Sequence, residues 1–243
     1  MSPVPEDGVR VPARRQVLCI GHRGAAGHAP ENTLLSLREA VRLGADWVEI
    51  DVRQACDRLF VLHDGRVDRT TDGTGRLDRM DTEQIRSLDA GSGERIPFLS
   101  EVLETVAGRT GLNIEIKTRG TGGPLCRILR TYPGEKVLIS SFHFEELREL
   151  RRLDDHIRIG PLFVRPPRDI LKRMRSLCAW SVHLDHRFIS RPLVERIHDA
   201  GINVFVYTVN RIGAIRQAIE AGVDGIISDY PERVVRVRDG GSA

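Results

Sequence analysis

The chain alternates between two kinds of segment. Short apolar runs at 16–20, 47–52, 112–117, 136–140, 158–162, 179–184, 203–209 and 225–229 read as buried strands. Between most of them lie longer stretches whose apolar residues recur at helical spacing. The first carries Leu34, Leu37, Ala40 and Val41, and others follow at 99–108, 122–132, 144–153, 167–176, 190–200, 211–221 and 231–238. Asn32 is the expected N-cap of the first helix, and Gly44 is its stop. One unit recurs along the chain. Gly44, Ala45 and Asp46 lead into the strand at 47, and Gly222, Val223 and Asp224 lead into the strand at 225; Ala200, Gly201 and Ile202 form a partial copy. Helix, glycine and strand in repetition mark βα units on a parallel sheet.

A ninth apolar run, 59–62, breaks this rhythm. It follows Val52 after six residues, whereas a parallel crossover needs roughly a dozen. It must therefore return antiparallel, as a hairpin with 49–52. Removing it leaves eight strands, the number that closes a barrel. The expected fold is α/β: a distorted (β/α)8 TIM-type barrel with a β-hairpin and a small insertion at its C-terminal mouth. The insertion is the polar segment at about 64–100, with one short helix near 81–87. Residues 1–15 hold three prolines and three arginines and read as a flexible arm, leaving 16–243 as a single barrel domain.

Composition narrows the partners. A length of 243 residues suits one such barrel, and a net charge of +3 gives no reason to expect nucleic acid or an acidic membrane as partner. The four cysteines form no Cys-x-x-Cys pair, as expected for reduced thiols of a cytoplasmic protein. No run of eighteen apolar residues suggests a transmembrane segment. Nothing in the pattern speaks to oligomeric state.

Chemistry gathers at the strand ends. Glu49 and Asp51 are two apart on one strand, as are Glu115 and Lys117 on another, so each pair shares a face. Charges in apolar strands are costly unless paired or bound to metal. Barrel sites form at the C-terminal ends of the strands. Three carboxylates converging there would make a hard-oxygen site for Mg²⁺ or Ca²⁺. The hairpin would deliver His63 near Glu49 and Asp51, facing His22, and the two histidines form a natural proton-transfer pair. Arg23 and Lys117 can hold phosphate oxygens. Any one of these residues alone would read as a salt-bridge or core residue; seven on converging strand ends read as a site. The remaining polar positions take plainer roles. His28 reads as a solvated loop residue, His183, Asp185 and His186 as packing or surface, Asp229 as the cap of the last helix, and Cys19 as buried packing.

His22-Arg23-Gly24, Pro30-Glu31-Asn32-Thr33, Glu49-x-Asp51, His63-Asp64 and Glu115-x-Lys117 together resemble the glycerophosphodiester phosphodiesterase family, in order and in spacing. Ser140-Ser141-Phe142, Tyr207-Thr208-Val209-Asn210 and Ser228-Asp229-Tyr230-Pro231 resemble its later, weaker motifs. The resemblance implies hydrolysis of a small-molecule glycerophosphodiester to glycerol 3-phosphate and an alcohol. It implies a divalent cation, Mg²⁺ or Ca²⁺, on Glu49, Asp51 and Glu115, with His22 and His63 as catalytic acid and base. It puts Arg23, Lys117, Asn32 and Tyr207 on the substrate-binding side. Tyr207 stands where the family often has tryptophan, which alters the aromatic wall of the site. Two other readings share these residues. A lysophospholipase D would need an apolar groove, for which Phe98, Leu99, Leu162 and Phe163 are candidates, ahead of Phe188. A non-catalytic phosphodiester-binding barrel would be expected to lack a histidine or carboxylate.

Overall fold

The computed structural model describes residues 16–241; the expected N-terminal arm at 1–15 lies outside them. Within them the chain runs β1 (Leu18–Gly21), α1 (Leu34–Arg42), β2 (Trp47–Ala55), β3 (Arg58–Val61), α2 (Thr82–Ser87), α3 (Leu99–Val106), β4 (Gly111–Ile116), α4 (Gly122–Leu129), β5 (Val137–Ser141), α5 (Phe144–Leu153), β6 (Arg158–Phe163), α6 (Ile170–Leu177), β7 (Ser181–Asp185), α7 (Arg191–His198), β8 (Asn203–Tyr207), α8 (Ile212–Ala221), β9 (Gly225–Ser228) and α9 (Pro231–Arg238), with short 3₁₀ turns at Leu77–Arg79 and His186–Phe188.

The strands pair in the order β1-β9-β8-β7-β6-β5-β4-β2, and β1 pairs back onto β2, closing an eight-stranded parallel barrel. β3 alone is antiparallel, with Val52 opposite Val61 and Ala55 opposite Arg58. The hairpin inferred from loop length is therefore present. β2 is longer than its apolar run suggested because it serves three ladders. Its first residues pair with β1 and β4, and its last with β3.

The helices wrap the barrel because each has one apolar stripe. In α1 that stripe is Leu37 and Ala40, in α5 Leu147 and Leu150, and in α7 Val194 and Ile197, all buried against the strands. Inside the barrel, Ile20, Trp47, Leu138, Phe205 and Ile227 form a separate apolar cluster. Trp47 also stacks on Trp180 at 6.2 Å. This layer fills the barrel below the mouth. The insertion has a small core of its own, built on Phe60, Leu62, Val67, Leu77, Ile85 and Ile96. Phe60 meets Phe98 at 5.0 Å, and α2 starts on an Asp81–Gln84 capping box.

The cap of α1 differs from expectation. Thr33, not Asn32, is the N-cap, its hydroxyl accepting from the Ser36 amide at 3.2 Å. Asn32 sits one residue earlier with φ +60°, a left-handed conformation that asparagine tolerates better than most residues. That backbone turns its side chain toward β2 instead of the helix.

Candidate active site

The C-terminal ends of the strands surround a cavity of about 220 Å³, lined among others by His22, Arg23, Glu49, His63, Glu115 and Lys117. Each side chain arrives by a separate structural cause. His22 and Arg23 follow directly on β1, Glu49 and Asp51 alternate on β2, and Glu115 is the next-to-last residue of β4, opposite Asp51 in register. The antiparallel return of β3 brings His63 back over the same mouth.

Glu49, Asp51 and Glu115 are all buried, and each offers a carboxylate oxygen within 4.8 Å of the other two. Burial and the neighbouring Asp51 charge push the Glu49 carboxyl up to about 7. Burial likewise raises Glu115, despite Lys117. Asp51 moves the other way: burial opposes its charge, but Lys117 and Arg23 outweigh it and hold the carboxyl below its usual range. The Lys117 ammonium lies 3.0 Å from Asp51 and also contacts Glu115. Arg23 Nε approaches Asp51 at 3.1 Å as a charge contact without hydrogen-bond alignment. Glu49 Oε1 is buried with no partner among the described residues. Three crowded carboxylates, one with an orphaned oxygen, fit a hard divalent cation.

Asn32 fixes this cluster from behind. Its amide donates to Asp51 Oδ2 at 2.9 Å, and its Oδ1 accepts from the Asp51 backbone N–H at 3.1 Å. It thus supports a carboxylate in this state, and Asn32 is absent from the cavity lining.

Each histidine is held by an aspartate through Nδ1, which leaves Nε2 for chemistry. His22 Nδ1 lies 2.6 Å from Asp229, and His63 Nδ1 lies 2.6 Å from Asp64. Burial pulls the His22 pKa down, but Asp229 and Glu49 overcome it and leave the imidazole above its ordinary value. At His63 burial prevails, and the pKa falls despite Asp51 and Asp64. Asp229 does not cap the last helix: α9 has Tyr230 at its N-cap position and no side-chain cap bond. Asn210 donates to the second Asp229 oxygen at 2.5 Å and accepts from its backbone N–H at 3.0 Å.

A charge knot joins the mouth to the insertion. Arg69 grips Glu31 with two bonds of 2.7 and 2.8 Å and reaches Asp64 at 2.6 Å. Glu31 in turn accepts from Arg23 at 2.6 Å. One exposed arginine therefore steadies the partners of both Arg23 and His63. The role of Arg69 was not visible in sequence, although the Arg69-Thr70-Thr71 run beside His63-Asp64 was a signal. Tyr207 lines the cavity and meets Phe142 edge-on at 6.1 Å, the aromatic wall expected there. His28 instead pairs with Glu232 at 2.9 Å, away from the cavity lining. His183, expected to be packing or surface, lines the cavity.

A model of the glycerophosphoryl diester phosphodiesterase family matches residues 22–123 and 125–233. The chain belongs to that family. It is an enzyme of that family, and its barrel is the family's barrel. A glycerophosphodiester phosphodiesterase of Caldanaerobacter subterraneus is 39% identical over 93% of this chain and 100% of its own length. The mouse glycerophosphodiester phosphodiesterase 1 is 31% identical over 81% of this chain and 73% of its own. An Oleispira antarctica phosphodiesterase, solved in complex with the product sn-glycerol-3-phosphate, superposes with a TM-score of 0.87. It is 31% identical, over 91% of this chain and 96% of that one. Among the described residues no helix is long and apolar enough to cross a membrane.

Proposed function

We propose that this protein hydrolyses water-soluble glycerophosphodiesters to glycerol 3-phosphate and an alcohol, with a divalent cation on Glu49, Asp51 and Glu115 and with His22 and His63 as proton carriers. The observation that carries the reading is the convergence of three buried carboxylates and two aspartate-held histidines on one small cavity. A cation on the carboxylates would neutralise phosphate charge and make a nearby hydroxyl more acidic. Arg23 and Lys117 face the same space and supply positive charge to the phosphate oxygens of the transition state. Asp64 and Asp229 orient the rings so that Nε2 of one takes the proton from the attacking hydroxyl and Nε2 of the other gives a proton to the leaving alkoxide. The single domain spans 16–243, and the insertion shapes access to it. The product seen on the Oleispira antarctica protein is consistent with glycerol 3-phosphate as product here.

A lysolipid reading has less support. Of the apolar residues it would need, Leu162 lines the cavity, whereas Phe98 packs on the insertion's core and Leu99 is buried under the barrel wall. The test is release of glycerol 3-phosphate from glycerophosphocholine, glycerophosphoethanolamine and glycerophosphoglycerol, with lysophosphatidylcholine alongside, each with EDTA, Mg²⁺ or Ca²⁺. Metal-dependent release from the water-soluble diesters is expected. Turnover of the lysolipid alone would move the assignment to a lysophospholipase D, and turnover undiminished by EDTA would remove the metal.

A further inference from the structure

The cavity continues below the carboxylates to a polar floor that neither the cation nor the histidine pair uses. Asn113 stands two residues before Glu115 on β4, and His183 stands two before Asp185 on β7; both line the same cavity as His22 and Glu49. His183 is 0% exposed and Asn113 1%. The middle of a closed barrel is ordinarily filled with apolar side chains. One His183 ring nitrogen meets the Ser181 hydroxyl at 3.1 Å. The other has no partner among the described residues, and neither has Asn113 Oδ1. Buried polar atoms are nearly always satisfied, so two orphaned ones on one cavity point to a ligand group.

The ring is deliberately housed. It packs against Phe205 at 5.1 Å. Opposite it, Gly160 carries no side chain; a Cβ there would lie 2.5 Å from the Ser181 hydroxyl and 2.6 Å from the imidazole. Burial pushes the His183 pKa down to about 3, so the imidazole is neutral and presents one donor and one acceptor.

We propose that this floor is a hydroxyl-binding subsite in which His183 and Asn113 hold the terminal hydroxyl of the glycerol arm, so that glycerol points into the barrel and the leaving alcohol points out through the mouth. The proposal rests on the glycerophosphodiester reading above. The chemistry selects a hydroxyl. Asn113 Oδ1 needs a donor, which excludes a phosphate oxygen; a quaternary ammonium offers no N–H or O–H at all. A hydroxyl can donate to the amide oxygen and still exchange a hydrogen bond with the imidazole. The outer rim is different in kind. Phe142, 47% exposed and beside Tyr207, offers an open aromatic face that places few demands on the alcohol.

The experiment compares two ligand pairs that differ by that one hydroxyl. The first pair is glycerophosphocholine and the phosphocholine diester of 1,2-propanediol, which keeps the hydroxyl next to the phosphate-bearing carbon. The second is sn-glycerol 3-phosphate and 1,2-propanediol 1-phosphate, whose binding is measured by calorimetry. The wild-type protein is expected to favour the glycerol compound in both pairs, by at least about tenfold, since a site built for a hydroxyl penalises its absence. In His183→Leu the ratio falls toward one, and His183→Gln restores part of it. Equal kcat/KM for both diesters in the wild type would overturn the subsite while leaving the reaction intact. Selective binding of glycerol 3-phosphate without hydrolysis of either diester would overturn the reaction and keep the subsite. Equal losses on both diesters in folded His183→Leu would show a structural role and sink the proposal. If that variant fails to fold, the wild-type ratios still decide.

Discussion

Replacing Asp229 by asparagine removes one charge and almost no volume from the site. In the wild type the carboxylate meets His22 Nδ1 at 2.6 Å, a length typical of a charge-assisted bond. Asn210 holds the other oxygen at 2.5 Å. In Asp229→Asn that contact keeps the amide oxygen in place and turns the amide N–H₂ toward His22. The ring must then accept at Nδ1, so its proton moves to Nε2 and it can no longer accept one there. The imidazolium also loses its counter-charge. A hydrogen bond to a charged group contributes about 1.5–3 kcal/mol, and each ~1.4 kcal/mol is a factor of ten. The expected fall in kcat is therefore about 10- to 150-fold. Asp229 raises the His22 pKa, so the limb of the pH–kcat profile that belongs to His22 should move to lower pH. The assay is glycerol 3-phosphate release from glycerophosphocholine at saturating cation, from pH 5 to 9. Melting should shift by no more than about 6 °C, since ~1–2 kcal/mol in a domain of this size moves Tm by a few degrees. A kcat within about threefold of wild type, with an unmoved profile, would refute the reasoning.

Three further predictions follow from the same geometry. Asn32→Ala removes both side-chain bonds to Asp51 and leaves alanine in a left-handed backbone. Affinity for Mg²⁺ or Ca²⁺, read by calorimetry, should drop about 10- to 100-fold, as for other groups that orient ligands. Arg69→Ala frees Glu31 and Asp64 on their outer side. It should lower kcat by roughly tenfold while changing stability by under about 1 kcal/mol, because the arginine is half exposed; an unchanged kcat would show that the knot is ornamental. His183 has its pKa pushed down to about 3 by burial, so below the ordinary value of about 6.5 the unfolded chain binds a proton that the folded one refuses. Its contribution makes stability fall with pH by about 1.4 kcal/mol per unit in that window, hence by about 2 kcal/mol between pH 7.5 and 5. Urea midpoints at the two pH values should show that component in the wild type and lack it in His183→Leu.

Most of the barrel was legible because parallel βα units leave a repeated signature, and because six residues between Val52 and Leu59 are too few for a crossover. Glu49, Asp51, Glu115 and Lys117 were legible because the two-residue period of a strand fixes their face. What escaped were partners remote in sequence. Asp229 reads locally as a helix cap; it reaches His22 only because β9 lies beside β1 when the barrel closes. Asn32 carries the composition of a cap, but its left-handed backbone hands the cap to Thr33 and turns Asn32 to Asp51. His183 sits among apolar residues on its strand, and only the empty face of Gly160 on the neighbouring strand explains why an imidazole fits there.

β2 has two halves with two duties: its lower half is a barrel stave carrying two carboxylates, and its upper half is the mast on which the insertion is hung. The cover therefore has its own foundation and its own small core, yet it joins the reaction centre through one continuous strand and one arginine. It can be treated as a cassette. A cover transplanted from a relative should change which alcohols are admitted without disturbing the staves, provided that it keeps the tight reversal between Ala55 and Arg58, returns a histidine at its first exit, and brings an arginine to rest between Glu31 and Asp64. A transplant that omits the last of these would leave a barrel with every reacting group in place and the hand that steadies them missing.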